Sequence, residues 1–151
     1  MKVYIGADHR GLNLKEKIFA YLSKRGYKVE DVNDKELKPD EDFPQIAQAA
    51  ALKLFDEEPD LDRAILICSG GQGMAIAANR FRGVRAIVAT TAEDARYGRI
   101  DIDANALNLS TQLFDIGDDQ YWQDIIDTFL NTDFSGAARF VRRNQQLDEL
   151  A

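Results

Sequence analysis

Residues 63–80 read Arg63-Ala64-Ile65-Leu66-Ile67-Cys68-Ser69-Gly70-Gly71-Gln72-Gly73-Met74-Ala75-Ile76-Ala77-Ala78-Asn79-Arg80. The order of residue types in this stretch decides the fold. Ala64 to Ile67 is a short apolar run ending in a thiol, as expected of a strand buried on both faces. Ser69 to Gly73 is turn chemistry, and Met74 to Ala78 is a run of helix formers. A strand, a glycine-rich turn and a helix form one half of a parallel-sheet unit, so the turn lies at the carboxyl edge of the sheet, where open α/β folds bind ligands. The glycines allow backbone N–H groups to approach a bound anion, and the helix behind them presents its positive end. Cys68 is the only cysteine in the chain. On an apolar strand a thiol is ordinarily a small buried hydrophobe. The turn beside it makes it a candidate nucleophile or base.

Strand-like and helix-like segments alternate outward from this stretch. Lys2–Ala7 reads as a first strand. Leu12–Arg25 is helical, with Leu14, Ile18, Tyr21 and Leu22 on one face and Gly26 as its stop. Tyr27–Val32 is a second strand, and Asn33–Asp42, with Pro39, a polar loop. A helix follows Pro44 through Ile46, Ala50 and Leu54, until Glu57–Asp62, with Pro59, breaks it. After the stretch from Arg63 come a helix to about Phe81, a strand at Val84–Ala89, and a short helix at Thr91–Ile100, capped by Thr91 with Asp94 three positions on. Asn105–Leu109 is a fifth strand. Gln120–Asn131 and Ala137–Leu150 are closing helices. The expectation is an α/β fold: a doubly wound five-stranded parallel sheet with helices on both faces. The common strand order is 2-1-3-4-5, which places strands 1 and 3 side by side at the switch point. No repeat, low-complexity segment or linker interrupts the pattern, so residues 1–151 read as a single domain.

Composition narrows the function. The chain has 151 residues, 45% apolar and 30% charged, the balance of a soluble globular protein. No apolar run approaches the roughly 18 residues of a membrane span. The N-terminus enters a strand at once, without a signal peptide. One cysteine excludes an internal disulfide and fits a reducing cytoplasm. A net charge of −7 argues against a nucleic-acid partner. With one His and one Cys, a zinc site built from such residues within the chain is excluded.

With strands 1 and 3 adjacent, Asp8-His9-Arg10-Gly11 ends beside Cys68, so the only His and the only Cys line one crevice. Near the C-terminus Arg139, Arg142 and Arg143 fall on one helix face. Such a cluster either clamps a phosphate or is a solvated face paired with Asp148 or Glu149. Asp101-Ile102-Asp103-Ala104-Asn105 precedes strand 5, and its carboxylates either cap a turn or reach a ligand.

At these residues the chain resembles the type B ribose-5-phosphate isomerases, a family that includes the galactose-6-phosphate isomerase subunits. The matching stretches are Gly6 to Gly11, Leu14-Lys15, Asp42-Phe43-Pro44, Ile65 to Met74 with Ile76 to Arg80, Gly83 to Ala86, Asp103-Ala104-Asn105, and Arg139 with Arg143. The resemblance implies a sugar-phosphate isomerase that interconverts aldose and ketose without metal or cofactor, with ribose 5-phosphate as the default substrate. It implies a homodimer, open to tetramer formation, with sites at the subunit interface and the C-terminal helix packing on the partner. Carried over, Cys68 is the base that moves a proton between C1 and C2, through an enediolate. Ser69, Gly70, Gly71 and Gly73 form the turn that holds the oxyanion. Asp8, His9 and Phe43 contact the substrate, and Arg139 and Arg143 hold its phosphate.

Several positions depart from the family pattern. The usual turn Cys-Gly-Thr-Gly reads Cys68-Ser69-Gly70-Gly71, so the hydroxyl that assists proton transfer has moved or gone. The His-Asn-Asp before strand 5 reads Asp101-Ile102-Asp103, so the ring-opening imidazole is replaced by Asp101. A carboxylic acid is a poor proton donor near pH 7 unless burial raises its pKa. Phe43 stands for a Tyr, Gln112 for an Arg, and Phe140 for a His. An alternative therefore stays open: a paralogue that binds a sugar phosphate, or pairs with a catalytic subunit, without turnover. A redox or phosphate-transfer protein is a weaker third reading, for lack of a second cysteine or a P-loop.

Overall fold

The computed structural model describes residues 1–33, 42–55, 61–114 and 118–150. Among them, five strands form one parallel sheet: β1 (Lys2–Ala7), β2 (Lys28–Asp31), β3 (Arg63–Cys68), β4 (Ala86–Val88) and β5 (Ala106–Ser110). The helices are α1 (Leu12–Lys24), α2 (Phe43–Lys53), α3 (Gln72–Ala78), α4 (Ala92–Ile102), α5 (Thr111–Phe114), α6 (Asp119–Asn131) and α7 (Ala138–Glu149). The doubly wound parallel sheet is as expected. The short α5 is an addition. The expected loop around Pro39 and the breaker at Pro59 lie outside the described residues. No helix among the described residues is long and apolar enough to cross a membrane.

The strand order corrects the expectation. It is β2-β1-β3-β5-β4, not 2-1-3-4-5. β5 sits inside the sheet, pairing with β3 on one side and β4 on the other. Burial explains the exchange: every residue of β5 is buried, whereas all three residues of β4 are only half-buried. A strand with neighbours on both sides and helices on both faces has nowhere to expose a side chain, and the short, partly wet strand goes to the edge. That edge is closed by a side chain. Asn79 accepts from the Ala86 N–H at 2.8 Å and donates to its carbonyl at 2.9 Å, as a neighbouring strand would.

The alternation of side chains along each strand divides the core in two. Val3, Ile5, Ile65, Ile67, Leu107 and Leu109 pack on one face with α1, α4 and α6, where Trp122, Ile125 and Phe129 are buried. Tyr4, Leu66, Cys68 and Ala106 pack on the other with α2 and α3. The Thr91 cap is present. Its hydroxyl accepts from the Asp94 N–H at 3.1 Å, while the Asp94 carboxylate accepts from the Thr91 N–H at 3.0 Å. Hydrogen bonds from the Thr90 amide and hydroxyl lead in holding that carboxyl below the usual range.

Candidate active site

Cys68 is the last residue of β3, and its side chain points toward α2 and α3. The Gly71 N–H donates to its Sγ at 3.0 Å. This bond needs the chain to double back within three residues, and Gly71 does so with φ +76°. A side chain there would also press on Val88, whose nearest atom lies 3.3 Å from the position of a Cβ. With the Gly71 N–H taken by the sulfur and the Ala75 N–H by the Gly71 carbonyl at 3.2 Å, the amides of Gln72, Gly73 and Met74 are those without a partner within the helix.

The β1 end adjoins this turn as expected. The Asp8 N–H donates to the Ile67 carbonyl at 3.1 Å, so the Asp8–Gly11 loop begins beside Cys68. Asp8 Oδ1 accepts from the Arg10 and Gly11 amides at 3.0 and 3.1 Å. These two bonds set the loop. His9 and Arg10 are exposed. Beneath the loop, Asn33 brackets the last residue of β1, accepting from the Ala7 N–H at 2.9 Å and donating to its carbonyl at 2.8 Å. Buried Lys15 holds that asparagine at 3.0 Å and Asp31 at 2.7 Å. Phe43, at the start of α2 and 39% exposed, lays its ring on Gly73, where an added Cβ would sit 3.0 Å from ring atoms. Cys68, Ser69, Gly70, Gly71, Gly73, Asp8, His9 and Phe43 are thus gathered at the carboxyl edge.

Asp101 and the arginines are not part of that cluster within one chain. α4 runs back along the sheet from the carboxyl edge, so Asp101 near its end lies at the amino edge. The five residues of β5 separate that edge from Cys68, roughly 13 Å at 3.3 Å per residue. Ser135 N–H donates to the Ile100 carbonyl at 3.2 Å, which starts α7 beside the end of α4. Asp101, Phe140 and Arg143 line one groove between these helices. Arg139 and Arg143 stand over the Phe140 ring at 4.5 and 5.8 Å. Asp148 pairs with Arg85 at 3.7 Å, not with an arginine of its own helix. Asp103 serves the turn: with φ 51° it takes Arg85 at 3.0 Å on one oxygen and Arg99 at 2.7 Å on the other.

The sequence reading missed a network at the Cys68 edge. Because β5 lies next to β3, Ser110 is in register with Cys68. Ser110 Oγ donates to the Ser69 carbonyl at 2.6 Å, and Gln112 donates through Nε2 to Ser69 Oγ at 3.2 Å. With β5 assigned to the far edge, these residues had no reason to meet Cys68.

A family model described as Ribose/Galactose Isomerase matches residues 3–147. A 4-deoxy-4-sulfo-D-erythrose isomerase of Clostridium sp. (strain MSTE9) is 40% identical over 109 residues, 72% of this chain and 67% of the relative. Ribose-5-phosphate isomerase B of Clostridium thermocellum superposes with a TM-score of 0.87 at 37% identity, covering 99% of this chain and 97% of that one. Ribose-5-phosphate isomerase B of Mycoplasma genitalium, with ribulose 5-phosphate bound, gives 0.87 at 32% identity, over 99% and 95%. The family model and the two structures span nearly the whole chain and agree with the sheet and the thiol-bearing turn described above: the chain belongs to the ribose/galactose isomerase family and is an aldose–ketose isomerase.

Proposed function

We propose that this enzyme isomerises a sugar phosphate through an enediolate, with Cys68 as the base and ribose 5-phosphate as the default substrate. The observation that carries this is the thiol at the carboxyl edge, its sulfur held by the Gly71 N–H at 3.0 Å and flanked by the Asp8–His9 loop. As thiolate, Cys68 takes the proton from C2 and returns it to C1. The open amides of the turn meet the charge that develops on the oxygens. The test is incubation of pure protein with ribose 5-phosphate in deuterium oxide. Solvent deuterium at C1 or C2, entering when the protonated thiol exchanges before it returns its proton, supports the reading, and the absence of both deuterium and ketose refutes it.

The working unit in this proposal is a homodimer in the cytoplasm, its active site shared between copies. Within one chain Asp101 lies at the amino edge and the arginines pack beside α4, outside the Cys68 cluster, so in this proposal Asp101, Arg139 and Arg143 of one copy serve Cys68 of the other. Mixing Cys68→Ala, which lacks the base, with Arg143→Ala, assayed at substrate levels too low to serve a site without that arginine, should regenerate about a quarter of wild-type activity in random heterodimers. No recovery, with subunit exchange verified, argues for a site within one chain.

A second reading has its own support in the 40% identical relative named for 4-deoxy-4-sulfo-D-erythrose. That aldose lacks the C4 hydroxyl that would close on C1, so it has no furanose ring to open. Asp101 in place of the ring-opening His fits such a substrate. Gln112 in place of an Arg fits a sulfonate, with its single charge, better than a phosphate at about −1.5 to −2. Comparing turnover of 4-deoxy-4-sulfo-D-erythrose with that of ribose 5-phosphate decides between the readings.

A further inference from the structure

Aldose–ketose isomerisation moves two protons, one between carbons and one between oxygens. Cys68 accounts for the first. The second needs a group that gives and takes a proton in one step, which a hydroxyl does. We propose that the Ser69 hydroxyl is this catalytic relay and that Gln112 is the positioning residue that aims it. The inference rests on the reading of Cys68 as the base.

Hydrogen-bond direction carries the proposal. Gln112 Nε2 carries only protons, so at 3.2 Å from Ser69 Oγ it donates and the serine oxygen accepts. The serine's own proton is left to point elsewhere, and no acceptor for it stands among the described residues. A hydroxyl that already accepts is a stronger donor. The neighbouring hydroxyl of Ser110 is committed as donor to the Ser69 carbonyl at 2.6 Å, and the Gln112 amide also closes on that carbonyl at 3.4 Å. The Ser69 backbone is therefore held by Ser110 at the end of β5 and by Gln112 in α5, while its side chain remains half-exposed one residue along the chain from the thiol. Ser69 and Gln112 are two of the positions where this chain departs from the family pattern, and they bond to each other.

The steps balance. The Cys68 thiolate takes the C2 proton, the C–H electron pair becomes the C1–C2 double bond, and the carbonyl pair moves to O1. The Ser69 hydroxyl gives its proton to O1 and receives the O2 proton, which leaves the enediolate charge on O2. The O2 charge re-forms a carbonyl at C2, and C1 takes the proton held by Cys68. Thiolate and serine return to their starting states.

The test uses the full-length protein with ribose 5-phosphate and erythrose 4-phosphate in deuterium oxide. Ketose formation is followed together with deuterium at C2 of the recovered aldose. Ser69→Ala should slow ketose formation on the order of 10²-fold. Its exchange into recovered aldose should fall less, so exchange per turnover rises. Ser69→Thr should keep most of the rate. Gln112→Glu should reverse the hydrogen bond, because the carboxylate accepts the serine proton. It should lower kcat at pH 7–8 with little change in KM, regain rate as pH falls through the new carboxylate's titration, and do nothing further in the Ser69→Ala background. Wild-type turnover in Ser69→Ala overturns the proposal while Cys68 stands as base. So does an equal effect of Gln112→Glu with and without Ser69, which marks charge repulsion of the substrate. A wild type that neither forms ketose nor incorporates deuterium removes the base reading and this inference with it.

Discussion

Replacing Cys68 by alanine separates the two things this sulfur does. It is 6% exposed and is the acceptor for the Gly71 N–H at 3.0 Å. As the general base, its loss should slow proton exchange at C2 by 10²–10⁴-fold, or about 3–5 kcal/mol of barrier. The fold also responds, because a buried N–H without a partner costs about 1–3 kcal/mol. In a domain of this size each kcal/mol moves the melting temperature about 2–4 °C. Cys68→Ala should therefore melt roughly 2–12 °C lower than wild type. Cys68→Ser offers the amide an oxygen acceptor again and should recover most of that loss. It should remain as inactive as Cys68→Ala, since an alcohol is not ionised near neutral pH. Deuterium exchange with ribose 5-phosphate reports the base, and thermal melts of the three proteins report the hydrogen bond. An alanine variant exchanging at the wild-type rate would make Cys68 a packing residue. A serine variant that melts with the alanine variant would deny the Gly71 bond any part in stability.

Arg139→Ala and Arg143→Ala should each raise KM for anionic sugars by roughly 10- to 100-fold with kcat little changed, while neutral sugars are unaffected. Equal handling of phosphorylated and plain sugars by wild type would remove the anion clamp. Asp101→His should speed turnover of aldose phosphates that close into rings and do little for those that cannot, because His readily donates a proton near pH 7; a loss of activity would mark Asp101 as a tuned acid. Burial, reinforced by the hydrogen bond to Asp127, pushes the Tyr21 phenol up to about 12. The folded state thus favours the neutral phenol, and its contribution is complete below the ordinary value of about 10 and lost as pH rises toward 12. Urea unfolding of Tyr21→Phe should show a shallower fall in stability across that window than wild type, and parallel curves would contradict the assignment.

Local chemistry made β1 and β3 legible to the residue, because a continuous apolar run between turn residues admits few other readings. The Thr91–Asp94 cap and the glycine turn after Cys68 were legible for the same reason: each is closed by residues within four positions of one another. Periodicity also marked the helices to within a residue or two at most ends. Those signals brought Asp8, His9 and Cys68 together, since the adjacency of β1 and β3 is common to both strand orders. The order of β4 and β5 was not legible. It depends on which strand can be buried on every side, and that is known only once α3, α4 and Asn79 have taken their places around both. With that order came the approach of Ser110 and Gln112 to Ser69, across more than forty positions of sequence. The separation of Asp101 from Cys68 was decided in the same way: a helix that returns along the sheet carries its last residues to the opposite edge, whatever chemistry their side chains hold.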